Sequence, residues 1–201
     1  MKGIILTGPK HSGKTSAGKA LASIYSCDFI DLDELILQRT GKTPRQLYIE
    51  SSASGRSGNS DGSLFKQAEA EAVSYMMTTL AASDRTPLAE GKVPTCVIAA
   101  GGGIIDNPQA ITILKNSDAI MAYLNISAGK AWARIANSAA GEKTGRELPP
   151  FLQTDNPQET HRILHERRAA AYLQIADIVI ETEDKTPEEI ARMIQARLEM
   201  P

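Results

Sequence analysis

Residues Gly8-Pro9-Lys10-His11-Ser12-Gly13-Lys14-Thr15 spell G-x-x-x-x-G-K-T. This is the pattern of a loop that wraps backbone N–H groups around phosphate oxygens at a helix N-terminus. Its glycines permit a tight turn and close approach of the chain to an anion. Lys14 is placed to reach β- and γ-phosphates, and the Thr15 hydroxyl is placed as a ligand of Mg²⁺. The loop fixes a nucleotide but not a reaction, so the chemistry must come from what else reaches the terminal phosphate.

Three features supply candidates. Phe29-Ile30-Asp31-Leu32-Asp33 carries two carboxylates at alternate positions. In a strand they share a face, so one can hold a metal's water shell while the other accepts a hydroxyl proton. The same stretch also reads as a helix start, with Asp33 an N-cap and Glu34 a first-turn acid. Gly101-Gly102-Gly103 permits close backbone approach to a ligand, or is a plain turn. The cations Arg134, Lys143, Arg146, Arg162, Arg167 and Arg168 crowd the second half. Phosphoryl transfer needs cations on the phosphates, and a carboxylated acceptor needs a guanidinium fork. Any one helical arginine can equally be a solvated surface residue.

These groups must be carried by elements. Apolar runs with β-branched residues predict strands at 2–7, 28–31, 95–100, 119–125 and 177–182. Helical patterns fall at 15–26, 33–40, 43–50, 64–81, 107–115, 127–138, 157–175 and 187–199. Thr186 caps the last helix and Pro187 takes its first position. The alternation predicts an α/β fold of three layers, a five-stranded parallel sheet flanked by helices. Ligands of such sheets bind at the carboxyl ends of the strands.

Residues 51–63 are nearly all Ser, Gly, Asn and Asp, and read as a flexible loop. Residues 139–157, with Gly141, Gly145, Pro149, Pro150 and Pro157, read as a lid. The chain of 201 residues is expected to form one domain, with an acceptor-binding region at 32–75. A net charge of −2 argues against a nucleic-acid or anionic-membrane partner. No apolar run approaches the ~20 residues that span a bilayer, and the N-terminus reads as a strand rather than a signal peptide. Cys27 and Cys96 read as packing thiols suited to a reducing cytoplasm. His161 and His165, four apart, read as surface or partly packed residues rather than metal ligands.

The ordered set resembles the shikimate kinases over essentially the full chain. It comprises the phosphate loop, the D-x-D, an F-x-x-x-E element (Phe65-Lys66-Gln67-Ala68-Glu69), the triple glycine, an arginine-bearing lid, and Arg168-Ala169-Ala170-Ala171-Tyr172-Leu173-Gln174-Ile175-Ala176-Asp177. The resemblance implies ATP and Mg²⁺ as cofactors, shikimate as the acceptor phosphorylated on its 3-hydroxyl, a monomer and a cytoplasmic location. It implies that Gly8, His11, Ser12, Gly13, Lys14, Thr15 and Ser16 hold ATP phosphates and Mg²⁺, with Asp31 on the metal through water. Asp33 would bind the acceptor hydroxyls and act as base. Gly101, Gly102 and Gly103 would contact the acceptor, and Lys66 and Arg168 would take its carboxylate. Arg146 would close over the phosphates as a catalytic cation, Arg134 would lie near adenine, and the turn ending at Pro187 would pack its ring.

The chain departs from the family pattern in four places. Lys66 stands where arginine is usual, which keeps charge but loses the fork and weakens acceptor binding about tenfold unless Arg56 or Lys42 compensates. The lid reads Arg146-Glu147-Leu148-Pro149-Pro150-Phe151-Leu152 instead of R-P-L-L. His11 replaces a loop glycine, which is tolerable at negative φ. The polar stretch 51–63 replaces a short turn. A GTP switch would need N-K-x-D and a D-x-x-G after a strand, and the sequence has neither. The strands 95–100 and 119–125 lack the terminal Asp of a motor-type ATPase. A kinase for another polyol or sugar acid such as gluconate, and a non-catalytic nucleotide-binding relative, are the alternatives.

Overall fold

The computed structural model describes residues 3–53, 62–82, 94–140 and 148–199. Five short strands form the sheet: β1 (Ile4–Thr7), β2 (Asp28–Asp31), β3 (Cys96–Ala99), β4 (Ile120–Asn125) and β5 (Ile178–Glu181). All pair in parallel, in the order β2-β3-β1-β4-β5. The helices are α1 (Lys14–Tyr25), α2 (Leu32–Thr40), α3 (Pro44–Ala53), α4 (Ser63–Ala82), α5 (Pro108–Lys115), α6 (Ala128–Ala140), α7 (Pro157–Ile175) and α8 (Pro187–Glu199). Two 3₁₀ turns, Ile104–Asp106 and Pro150–Leu152, add to what the sequence predicts.

The sheet sorts the strand residues by parity. Ile5, Ile98, Met121 and Tyr123 pack with Leu32, Ile36, Val73, Met76 and Tyr172 on one face. Ile4, Leu6, Val97, Ala122, Leu124 and Ile180 pack with Leu21, Ile190 and Ile194 on the other. Both faces of β1 are covered, so all four of its residues are buried and the strand reads as a continuous apolar run. The helix ends follow their capping residues. Asn107 and Asn156 accept from Ala110 N and Glu159 N, each ahead of a proline in the first turn. At α8, Thr186 and Glu189 bond each other's backbone N–H, a capping box.

This topology places β2, β3 and β1 side by side. Their carboxyl ends therefore deliver Asp31, the triple glycine and the phosphate loop to one edge. The thiols are packing groups: Cys27 is half-buried, and burial pushes the Cys96 thiol up to about 12. His161 and His165 are more buried than the sequence suggests. They lie between α6 and α7, with His161 5.7 Å from the Trp132 ring and 5.6 Å from His165. Burial lowers the pKa of both, that of His161 to about 4, so they pack as neutral rings. Among the described residues, no group of three or more His, Cys, Asp or Glu side chains is arranged to hold a metal. None of the helices among them is long and apolar enough to cross a membrane.

Candidate active site

The phosphate loop turns on residues of positive φ: Gly8 (139°), His11 (62°) and Gly13 (95°). A Cβ at Gly8 would meet the Leu124 carbonyl oxygen at 2.6 Å, so the position admits no side chain. His11 was tolerable at negative φ; the structure instead puts it in the left-handed region, at a cost of about 1 kcal/mol. Arg134 Nη1 donates to the His11 carbonyl at 2.9 Å and fixes this residue. Gly13 caps α1 without a side-chain hydrogen bond. The first N–H groups of α1 thus lack the usual internal partner, and the Ser12 hydroxyl is buried without one. These features make a cradle for anionic oxygens.

Lys14 folds over the loop, donating to the carbonyls of Gly8 (2.9 Å) and Pro9 (2.8 Å). Burial lowers its pKa to about 8, opposed by Asp33 and Asp31. Thr15 Oγ1 donates to Asp31 Oδ2 at 2.8 Å. This pair of hard oxygens suits a small divalent cation.

The two carboxylates of the D-x-D reach the crevice by a different route from the shared strand face. Strand β2 ends at Asp31, whose Oδ1 accepts from Asp33 N at 3.0 Å and caps α2. Asp33 therefore stands in the first turn of α2, because the Asx bond at Asp31 favours a helix start over another strand residue. Burial is the main cause raising the Asp33 pKa. Asp31 adds to the rise, while Lys14 and Lys10 oppose it.

The triple glycine is required for approach. None of Gly101, Gly102 and Gly103 has positive φ. An added Cβ at Gly101 would lie 2.9 Å from Glu69 Oε1 and 3.3 Å from Asp33 Oδ1. At Gly102 it would lie 2.8 Å from Lys10 N, and at Gly103 3.2 Å from Arg168 Nη2. Three consecutive residues thus touch the phosphate loop, the candidate base and the candidate carboxylate clamp.

A cavity of about 1120 Å³ joins these parts. His11, Gly13, Lys14, Thr15, Ser16 and Asp31 line it, together with Asp33, Lys66, Gly101, Gly102, Gly103 and Arg168. That volume suffices for a nucleotide tail and a small acid. Gly8 and Ser12 do not line it; both are buried residues of the loop itself and shape it. Arg134 and Pro187 are also outside the lining. Pro187 is the first residue of α8, next to a turn that Lys130 Nζ ties to α6 through Asp184 at 2.8 Å. Arg146 lies outside the described residues, as do most of the polar stretch 51–63 and the first part of the 139–157 segment.

Asp106, Glu69 and Arg45 are among the lining side chains to which sequence reasoning gave no role. Asp106 Oδ2 accepts from Arg168 Nε (2.8 Å) and Nη2 (2.6 Å), while Oδ1 accepts from Arg167 Nη2 (2.9 Å). Glu69 is fully buried, with Oε2 accepting from Asn107 Nδ2 at 2.9 Å and Oε1 unpartnered. Burial raises its pKa to about 7. Its signal was an acid within the apolar helix stripe Ala68, Ala72, Val73 and Met76. Arg45 reaches the cavity from α3.

The family model for shikimate kinase matches residues 10–199. The chain belongs to the shikimate kinase family. It shares that family's α/β fold and its activity as an ATP-dependent phosphotransferase. The shikimate kinase of Thermodesulfovibrio yellowstonii is 32% identical over 194 residues, covering 96% of this chain and 93% of the relative. The structure of shikimate kinase from Acinetobacter baumannii in complex with shikimate superposes with a TM-score of 0.73 at 25% identity, covering 98% and 93% of the two chains. A gluconokinase from Sinorhizobium meliloti 1021 is similar at TM-score 0.52 and 15% identity, with 98% and 91% coverage, and shares the fold alone.

Proposed function

We propose that this chain binds MgATP at the Gly8–Ser16 loop and shikimate against Asp33, Lys66, Gly101–Gly103 and Arg168, and moves the γ-phosphoryl group to the 3-hydroxyl of the ring. The observation that carries the reading is one cavity lined by Lys14 and Thr15 together with Asp33 and Arg168. The shikimate-bound relative supports the acceptor assignment.

Asp33 accepts the proton of the attacking hydroxyl. Burial makes it a stronger base than an exposed aspartate. The hydroxyl oxygen bonds to the γ-phosphorus as the bond from that phosphorus to the β,γ-bridging oxygen breaks. Lys14 leaves the Gly8 and Pro9 carbonyls for the phosphate oxygens and stabilises charge on them. Thr15 and Asp31 would hold Mg²⁺, which when bound neutralises phosphate charge. Arg146 adds a further cation from the 139–157 segment. Arg134 acts at one remove, holding His11 and hence the loop. The triple glycine sets the distance between acceptor and loop, so that catalysis rests on positioning.

Coupled ADP release with shikimate, quinate, gluconate and no acceptor tests the reading. Turnover is expected with shikimate, and Asp33→Asn is expected to remove it while the fold is retained. Preferred turnover of gluconate, or acceptor-independent ADP release, would overturn it.

A further inference from the structure

The clamp assigned to the acceptor carboxylate already holds a carboxylate of the chain's own. Asp106 ends the 3₁₀ turn that follows the triple glycine, and it lines the same cavity as Arg168. Arg168 donates to Asp106 Oδ2 from both Nε (2.8 Å) and Nη2 (2.6 Å). These two donors form an edge of the guanidinium that grips a carboxylate at two points. The remaining nitrogen, Nη1, lies 3.4 Å from the Gly102 carbonyl oxygen. The Arg168 side chain is 16% exposed and that of Asp106 27%, so solvent screens the pair far less than a surface ion pair.

The backbone holds both partners in place. Asp106 N donates to the Gly103 carbonyl at 2.9 Å. The next residue, Asn107, caps α5 and donates from Nδ2 to the Lys66 carbonyl (2.7 Å) and to Glu69 Oε2 (2.9 Å). One turn beyond Arg168 on α7, the buried Tyr172 stacks on Tyr123 at 5.2 Å and donates from its hydroxyl to the Gly102 carbonyl at 3.3 Å. On its other oxygen Asp106 accepts from Arg167 Nη2 at 2.9 Å, so it keeps a cation even when Arg168 turns to another anion.

We propose that Asp106 is a specificity-determining residue of the acceptor pocket, an internal carboxylate on Arg168 that an acceptor carboxylate has to displace. It thereby sets how strongly the pocket prefers an acid to its neutral analogue. The inference rests on the acceptor reading above. The Nε and Nη2 edge has donors for one carboxylate, and two anions crowded against it repel. An incoming acid therefore trades one ion pair for another instead of adding one, whereas an uncharged ring leaves the Asp106 pair intact. Asp106→Asn removes the competing charge and keeps an oxygen and the same shape beside Arg168.

The test compares shikimate with its uncharged methyl ester on wild type and Asp106→Asn, reading affinity as KM or as competitive Ki in the ADP-release assay. The acid is expected to bind the variant about tenfold more tightly, the scale of one charged contact, while the ester and the ATP KM stay within about twofold. Asp106→Ala carries the same acid-to-ester comparison should Asp106→Asn not fold. Weaker binding of the acid would mean that Asp106 serves to hold Arg168 in place for it. Equal changes for acid and ester would mean that Asp106 only shapes the pocket wall, and no change for either that the acid does not meet this pair. Each of these results overturns the proposal. A wild-type enzyme inactive towards shikimate would instead sink the acceptor reading itself, and the role of Asp106 with it.

Discussion

Replacing Glu69 by glutamine should remove a pH dependence of stability that this buried acid imposes on the protein. Glu69 is wholly shielded from solvent. Burial is the largest cause lifting its carboxyl from its ordinary 4.5 to about 7, and the Asn107 bond only partly opposes it. Between those two values the folded chain holds a proton that the unfolded chain has lost. Stability therefore falls as pH rises through that window, by about 1.4 kcal/mol per pH unit, and stays low above it. Across the window the loss is about 3 kcal/mol. Glutamine keeps an oxygen for Asn107 Nδ2 and puts an amide where Oε1 has no partner, on the side of Gly101 that Asp33 also flanks. Urea denaturation from about pH 5 to about pH 8 provides the assay. The two proteins should match to within about 1 kcal/mol at the acid end, while the glutamine variant should be the more stable by about 3 kcal/mol at the alkaline end. Stability curves that run parallel across the range would refute the argument, because Glu69 would then ionise alike in both states.

Lys14→Met should lower ADP release at least about 100-fold with the fold retained by circular dichroism, since it removes a donor aimed at developing charge. Lys66→Arg should restore a fork and lower the shikimate KM about tenfold with the ATP KM unchanged, in the same coupled assay. Gly101→Ala drives a Cβ to 2.9 Å from Glu69 Oε1 and 3.3 Å from Asp33 Oδ1. Steady-state kinetics should show it raising the acceptor KM about tenfold and sparing the ATP KM, because the strain falls on the acceptor side alone.

What could be read from the sequence was what the chain encodes contiguously. The phosphate loop, the D-x-D and the triple glycine each work through backbone shape or a short-range bond, such as Asp31 capping its own helix. The parallel sheet was legible for a similar reason, since each buried strand is a single apolar run. The hidden parts depend on distant partners. Asp106 meets Arg168 across 62 residues, Asn107 meets Glu69 across 38, and Arg45 meets Leu148 across 103. No local pattern marks such pairs. The conformation of His11 was hidden for another reason: residues other than glycine seldom adopt positive φ, and the loop imposes it only once Gly8 and Gly13 have set the turn.

The partners these groups keep within the chain explain how the two ends of the site divide their work. Lys14 rests on two neutral carbonyls, so exchanging them for anionic phosphate oxygens strengthens every bond it makes. Thr15 rests on Asp31, and a cation between them serves both oxygens. The nucleotide end thus gains on binding. Arg168 is different, because it already grips the carboxylate of Asp106. Taking an acceptor carboxylate there exchanges like for like, and the two anions repel if both remain. The acceptor end therefore gains less at its guanidinium than the nucleotide end gains at Lys14.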